Sequence, residues 1–199
     1  MTTRPQPEED TARQGPSGST YLDDELDTVL LGGRERVAVE VVDYDPSWPA
    51  RFEAERNRIV TALGDRARRV EHIGSTAVPD LAAKPIIDVL VEVDDPDDEA
   101  GYREPLECAG YQLRVREPGH RMFRTTTRNV HVHLWRAGGP DVERYLTLRD
   151  WLRSHPEDRK LYEQVKRSLA GRDWRDMNYY AEAKGPVIAE IMARASADP

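Results

Sequence analysis

The chemistry of this 199-residue chain is densest in two short runs, Glu71-His72-Ile73-Gly74-Ser75-Thr76 and Lys84-Pro85-Ile86-Ile87-Asp88. A strand that ends in Gly-Ser presents free backbone N–H groups and a hydroxyl at a sharp turn, which suits a phosphate. A helical turn starting at Ser75 would add unpaired N–H groups of its own. Lys84 offers a mobile positive charge just before the next strand. Asp88 sits in an apolar run, where a carboxylate is costly unless it is paired or binds a cation. Taken singly, each feature is more often structural, since Gly-Ser turns are common and a strand Asp can pair with an Arg. Their arrangement says more. Twelve residues separate Ser75 from Asp88, and they include Lys84 and two prolines that fix the path.

Such groups need a sheet with turns at its ends to hold them. Arg69 to Ile73 and the apolar run Ile86 to Val93 read as strands on either side of the Gly-Ser-Thr turn. Val37 to Tyr44 (VAVEVVDY) has the β-branched content of another strand. Asp45-Pro46-Ser47-Trp48-Pro49 supplies a turn, a cap and a first-turn proline. The helix that follows puts Phe52, Ile59, Val60 and Leu63 on one face and stops near Gly64. A helix is expected around residues 97 to 109, with Gly110 at its C-cap. Tyr111 to Arg116, Arg121 to Thr126 and Val130 to Trp135 read as three more strands. Asp141 to Ser154, Pro156 to Leu169 and Pro186 to Ala195 read as helices. Residues 21 to 36 look like a short acidic helix ending at Gly32-Gly33. Residues 1 to 20, rich in Pro, Gly, Ser, Thr and Glu, look like a disordered tail. The expected fold is α+β (mixed α/β), a mixed sheet with helices at both ends, in one domain over residues 21 to 199.

Composition narrows the function classes. Hydrophobic residues make up 38% of the chain and charged residues 33%. Ile86 to Val93 is too short to span a bilayer, so no membrane partner is expected. The first ten residues lack the apolar core of a signal peptide. Cys108 is the only cysteine, which excludes an intramolecular disulfide or a multi-Cys zinc site. These features favour a cytoplasmic protein. Residues 1 to 30 hold seven acidic side chains against Arg4 and Arg13, a net of −5, leaving −3 of the total −8 for the rest. That balance argues against general nucleic-acid binding, which needs a basic excess. A small anionic ligand needs only a local positive cluster.

Segment 71 to 93 (EHIGSTAVPDLAAKPIIDVLVEV) resembles the signature of the GrpB-like family. The likeness extends in order over roughly residues 36 to 195. It takes in the run from Val42 through Trp48 to Phe52, His131 and His133, the run from Leu148 to His155, Tyr162 with Lys166, and Tyr179 with Lys184. The resemblance implies a place in the nucleotidyltransferase superfamily, with a small mixed sheet flanked by helices. It also implies a Gly-Ser turn that holds a nucleoside triphosphate and a strand with two carboxylates, one residue apart, that bind magnesium. Gly74 and Ser75 match the turn, with Thr76 beside them, and Asp88 matches the first carboxylate. The second position is Leu90.

Asp88, Leu90 and Glu92 face one side of their strand, but Glu92 lies roughly 13 Å beyond Asp88 at ~3.3 Å per residue. Two ligands of one magnesium must each come within about 2.1 Å of it. Glu92 therefore cannot replace the missing carboxylate without a bulge, and the two-metal arrangement is not supported. His131 and His133 share a strand face. With Asp88 they could hold a transition metal, do acid/base work, or bind phosphate. The bland alternative is a pair of sheet histidines bonded to their neighbours.

Arg124 is a candidate ligand clamp. Arg149 and Arg153, four apart on a helix, could point to the site, while Asp150 reads as a structural partner. Lys166 and Lys184 could approach a triphosphate, but ordinary surface lysines are far commoner. The expected activity is transfer of a nucleotide from a nucleoside triphosphate to a small-molecule acceptor. Gly74, Ser75, Thr76, Lys84 and Arg124 would hold the nucleotide, Asp88 the metal, and His131 or His133 would complete the site. Two other classes stand beside it. One is a non-catalytic nucleotide- or phosphate-binding module, since the family also occurs fused to a dephospho-CoA kinase. The other is a small-molecule enzyme with a repurposed pocket.

Overall fold

The computed structural model describes residues 19–36 and 38–197. The expected tail over residues 1 to 20 thus lies outside the described residues, except for Ser19 and Thr20, which begin a helix. The helices are α1 (Ser19–Val29), α2 (Trp48–Leu63), α3 (Arg103–Cys108), α4 (Pro140–Ser154), α5 (Pro156–Ala170), α6 (Met177–Ala183) and α7 (Gly185–Ala197). The strands are β1 (Arg69–Ile73), β2 (Ile87–Val93), β3 (Tyr111–Glu117), β4 (His120–Thr125) and β5 (Val130–Arg136). They form one sheet in the order β1-β2-β5-β4-β3. β2 and β5 run parallel, and the other pairs are antiparallel. This is the mixed α+β architecture that the pattern predicted.

β2 and β5 read as nearly continuous apolar runs because both of their faces are covered. On one face, Ile87, Val89, Val91 and Val93 join Val130, Val132, Leu134 and Phe123. Trp48, Phe52, Ile59 and Leu63 of α2 and Leu106 of α3 close that core. Residues one step along each strand point to the opposite face. There Leu90 packs with Ile73, Trp135 and Val142 of α4. Behind α4, the helices α5 and α7 enclose Val78 and Leu81 of the loop before β2.

Three expectations need correction. Val37 to Tyr44 is not a strand: among its described residues only Val42 pairs, in a single bridge to Ala83. Its β-branched residues serve two cores instead, with Val39 and Val41 beside Leu169 and Tyr180, and Val42 and Tyr44 beside α2. The helix expected over 97 to 109 is split into a 3-10 turn, Glu99–Gly101, and α3. The acidic helix ends at Val29, before the glycines, because Leu30 leaves it to bridge Val115 of β3. α6 is a helix that was not separately expected.

Candidate functional site

Ile73, the last residue of β1, lies opposite Asp88, which puts the Gly-Ser turn level with that carboxylate. Gly74 has φ +70°, and a Cβ there would stand 2.5 Å from Asp88 Oδ2. Both the dihedral angle and the space therefore require glycine. Ser75–Ala77 forms a single 3-10 turn, with Ala77 N–H donating to the Gly74 carbonyl at 3.2 Å. Among the described residues, the Ser75 and Thr76 N–H groups and the Ser75 hydroxyl have no partner.

The turn is anchored from behind. Thr76 Oγ1 donates to the Ile86 carbonyl at 3.0 Å, so its contact with His72 Nε2, also 3.0 Å, is accepted from the ring. The Thr76 hydroxyl is thereby committed inward, leaving its backbone N–H for a ligand. His72 stacks on Phe52 at 4.7 Å. Burial lowers its pKa to about 4, against the pull of Asp88 and with help from Arg153 and Arg149. Arg153 Nε donates to the Ala77 carbonyl at 3.0 Å. Arg149 donates to Glu71 (2.7 Å) and the His72 carbonyl (3.1 Å) and pairs with Asp150 through two bonds. Both arginines thus hold the turn in place, and Asp150 is a structural partner. A cleft of about 450 Å³ opens beside them on the outer edge of β1, away from the Asp88 cluster.

Asp88 divides its two oxygens. Oδ2 lies under Gly74. Oδ1 stands 3.4 Å from His131 Nδ1 and 3.8 Å from His133 Nε2 on β5. The parallel register, Asp88 opposite His131 and Leu90 opposite His133, creates this grouping. One ligand atom from each of Asp88, His131 and His133 lies within 4.8 Å of the others, a spacing that could hold a metal ion. Burial raises the Asp88 pKa, but the neighbouring His131 and His133 rings outweigh that, and the carboxyl is held well below its ordinary range. Burial lowers the His133 pKa, opposed by Asp88 and reinforced by His120 and His131, which favours the neutral ring that a metal requires.

Two participants were missed in the sequence. His120 Nε2 meets His133 Nδ1 at 3.2 Å, and His120 Nδ1 meets Glu117 Oε2 at 3.2 Å. This chain engages one nitrogen of His133 and leaves Nε2 facing Asp88. His120 lies across the β4–β5 ladder from Trp135 and stacks on it at 4.7 Å. Pairing the two predicted strands Arg121 to Thr126 and Val130 to Trp135 as a hairpin would have pointed to it.

Arg124 stands opposite His131, but its guanidinium makes two 2.8 Å bonds to Glu35. Arg124 holds the Glu35 carboxyl down at about 2, despite burial, with Arg114 and Arg128 assisting. Arg124 thus fastens the segment after α1 to the sheet. Lys84 lies 5.1 Å from the centre of the Tyr180 ring. Leu90 is fully buried, and Glu92 accepts a bond from Gly138 N–H at 3.1 Å, far from the cluster.

The family described as GrpB protein matches residues 38–194. The chain belongs to the GrpB family. It is 50% identical to a UPF0157 protein of Streptomyces coelicolor over 168 residues, covering 84% of this chain and 90% of the relative. The crystal structure of conserved protein GrpB from Enterococcus faecalis is matched at TM-score 0.64 and 30% identity, over 76% of this chain and 98% of that one. A dephospho-CoA kinase of Mycolicibacterium paratuberculosis is 33% identical over 189 residues, which cover 80% of this chain and 46% of the kinase. The small mixed sheet flanked by helices is the architecture that the resemblance to the GrpB-like family implied. Among the described residues, no helix is long and apolar enough to cross a membrane.

Proposed function

We propose that this GrpB protein transfers a nucleotide from a nucleoside triphosphate to a small-molecule acceptor, at a site centred on Asp88. One observation carries the reading: a single carboxylate touches the phosphate-type turn with one oxygen and two imidazoles with the other. The Ser75 and Thr76 N–H groups and the Ser75 hydroxyl bind phosphate oxygens. As the acceptor attacks the α-phosphorus, gives its proton to water and breaks the bond to the diphosphate, Lys84 balances charge on that leaving group. Asp88, His131 and His133 would hold one divalent ion, which when bound would neutralise charge on the reacting phosphate. One oxygen and two nitrogen donors suit a transition metal, whereas magnesium prefers oxygen ligands and its own waters. His120 and Glu117 orient His133 within this set.

Thermal unfolding tests the reading. Stabilisation by a nucleoside triphosphate should require a divalent transition metal and should disappear in Asp88→Ala. No shift with any nucleotide and metal would remove it.

A non-catalytic binding module is the second reading, and the buried Leu90 favours it. That side chain packs with Ile73, Trp135 and Val142 where a second carboxylate would stand. Metal-dependent nucleotide binding with no turnover over a panel of hydroxyl, phosphate and amine acceptors would select this reading.

A further inference from the structure

Nearly all the formal positive charge of the protein lies on arginines, and most of these are paired with carboxylates. Three lysines behave differently. Lys84, Lys166 and Lys184 form no ion pair among the described residues, yet they converge from three elements. Lys84 and Lys184 lie 5.1 Å and 5.0 Å from the centre of the Tyr180 ring, so their ammonium groups stand within about 10 Å of each other. Lys166, from α5, is only 2% exposed; it lies 4.8 Å from the centre of the Tyr162 ring and donates to the Ala82 carbonyl, two residues before Lys84.

Gathering like charges around buried tyrosines is unfavourable in the free protein. Burial first, and then the charge of Lys184, push Lys84 down to about 8 and Lys166 to about 7. The carboxylates that act on them are committed elsewhere. Asp176 accepts from the Glu35 and Asn178 N–H groups, and Glu163 from Arg167 and the Ala82 N–H. Asp88, which also acts on Lys84, faces the two imidazoles. Three lysines with no ion-pair partner, facing carboxylates that act on them only from a distance, make a cradle for an external anion.

We propose that Lys84, Lys166 and Lys184, over Tyr162 and Tyr180, bind the terminal phosphates of a polyphosphate chain. The Asp88 charge acts on Lys84, so Lys84 is the member of the cradle that adjoins the Asp88 site. The assignment of that chain to a nucleotide rests on the proposed function; the anion site itself does not.

The probe is inorganic tripolyphosphate, titrated into the full chain with a chelator present to remove metals. Wild-type protein should bind it at least tenfold more tightly than monophosphate. Lys84→Gln and Lys184→Gln should each weaken binding at least tenfold, and Asp88→Asn should not weaken it. Lys184 carries the decisive variant because its ammonium makes no hydrogen bond within the described protein. Absent binding, equal affinity for monophosphate, or unchanged binding in both lysine variants would overturn the proposal. If tripolyphosphate binds as described but no nucleoside triphosphate gives a metal-dependent shift, the nucleotidyl reading falls and the anion site stands.

Discussion

The two faces of β2 and β5 are built on one backbone and solve opposite problems. Val89, Val91, Val132 and Leu134 are sealed under α2 and α3. Asp88, His131 and His133 are each partly exposed, with side-chain exposures of 29%, 17% and 18%. The first face gains free energy from water removed from apolar surface. The second keeps a desolvated carboxylate ionised by placing two imidazoles beside it. Leu90 marks the boundary between them: it lies on the polar face but is fully buried under α4. Stability and chemistry are thus divided by the two-residue period of the strand.

The division predicts a large, one-sided effect. Phe123 is fully buried on the apolar face. Phe123→Ala should lower the unfolding free energy by about 3–5 kcal/mol, measured by denaturant titration, while metal affinity of the folded fraction stays unchanged. Asp88→Ala should do the reverse, abolishing the proposed metal binding with a smaller loss of stability. Equal destabilisation by the two changes would break the contrast.

A second effect comes from His72, a titratable ring on the apolar side. Its folded pKa is depressed from 6.5 to about 4, first by burial. The unfolded chain therefore binds the extra proton between those values, and stability falls as pH drops from about 6.5 toward 4. The contribution above pH 6.5 is up to about 3 kcal/mol. His72→Phe preserves stacking on Phe52 and should reduce the pH dependence of the unfolding free energy in that window, leaving the part that His133 contributes. An unchanged slope would place the titration elsewhere.

Gly74→Ala sharpens the polar face. It forces an alanine into φ +70° and a methyl group against Asp88 Oδ2. The backbone strain alone is about 1–2 kcal/mol. Metal affinity should fall more than stability does, because the displaced group is the carboxylate itself. Calorimetric titration with zinc, beside a melting curve, separates the two losses.

The apolar face was legible in the sequence because period-2 and period-3.6 patterns mark surfaces that must be covered. All five strands were found, and Gly74, Ser75 and Asp88 were singled out from residue type and spacing. The His120–Glu117 contact was hidden because it depends on which strand lies beside β5, and alternation within a strand does not encode its neighbour. Lys166 and Lys184 read more readily as surface lysines than as triphosphate ligands for a similar reason. Only the folding of α5 to α7 against the loop before β2 brings them to Lys84. Val37 to Tyr44 misled because β-branched content reports burial as readily as pairing.

The smallest expected effect tests the strand geometry most directly. Glu92 shares the polar face with Asp88, two full alternations along β2, and its register partner on β1 is Arg69. Its carboxylate accepts from Gly138 N–H and lies 3.6 Å from a half-exposed Arg69. Glu92→Gln retains an acceptor for Gly138 and loses only the charge pair between buried Glu92 and half-exposed Arg69, a change within about 1 kcal/mol. Nothing links Glu92 to the cluster except the strand between them, and that distance is fixed by extended backbone. Zinc affinity should therefore match that of the wild type. A tenfold loss would mean that Glu92 helps to hold the ion, and the separation along β2 that leaves Asp88 as its sole carboxylate would fail.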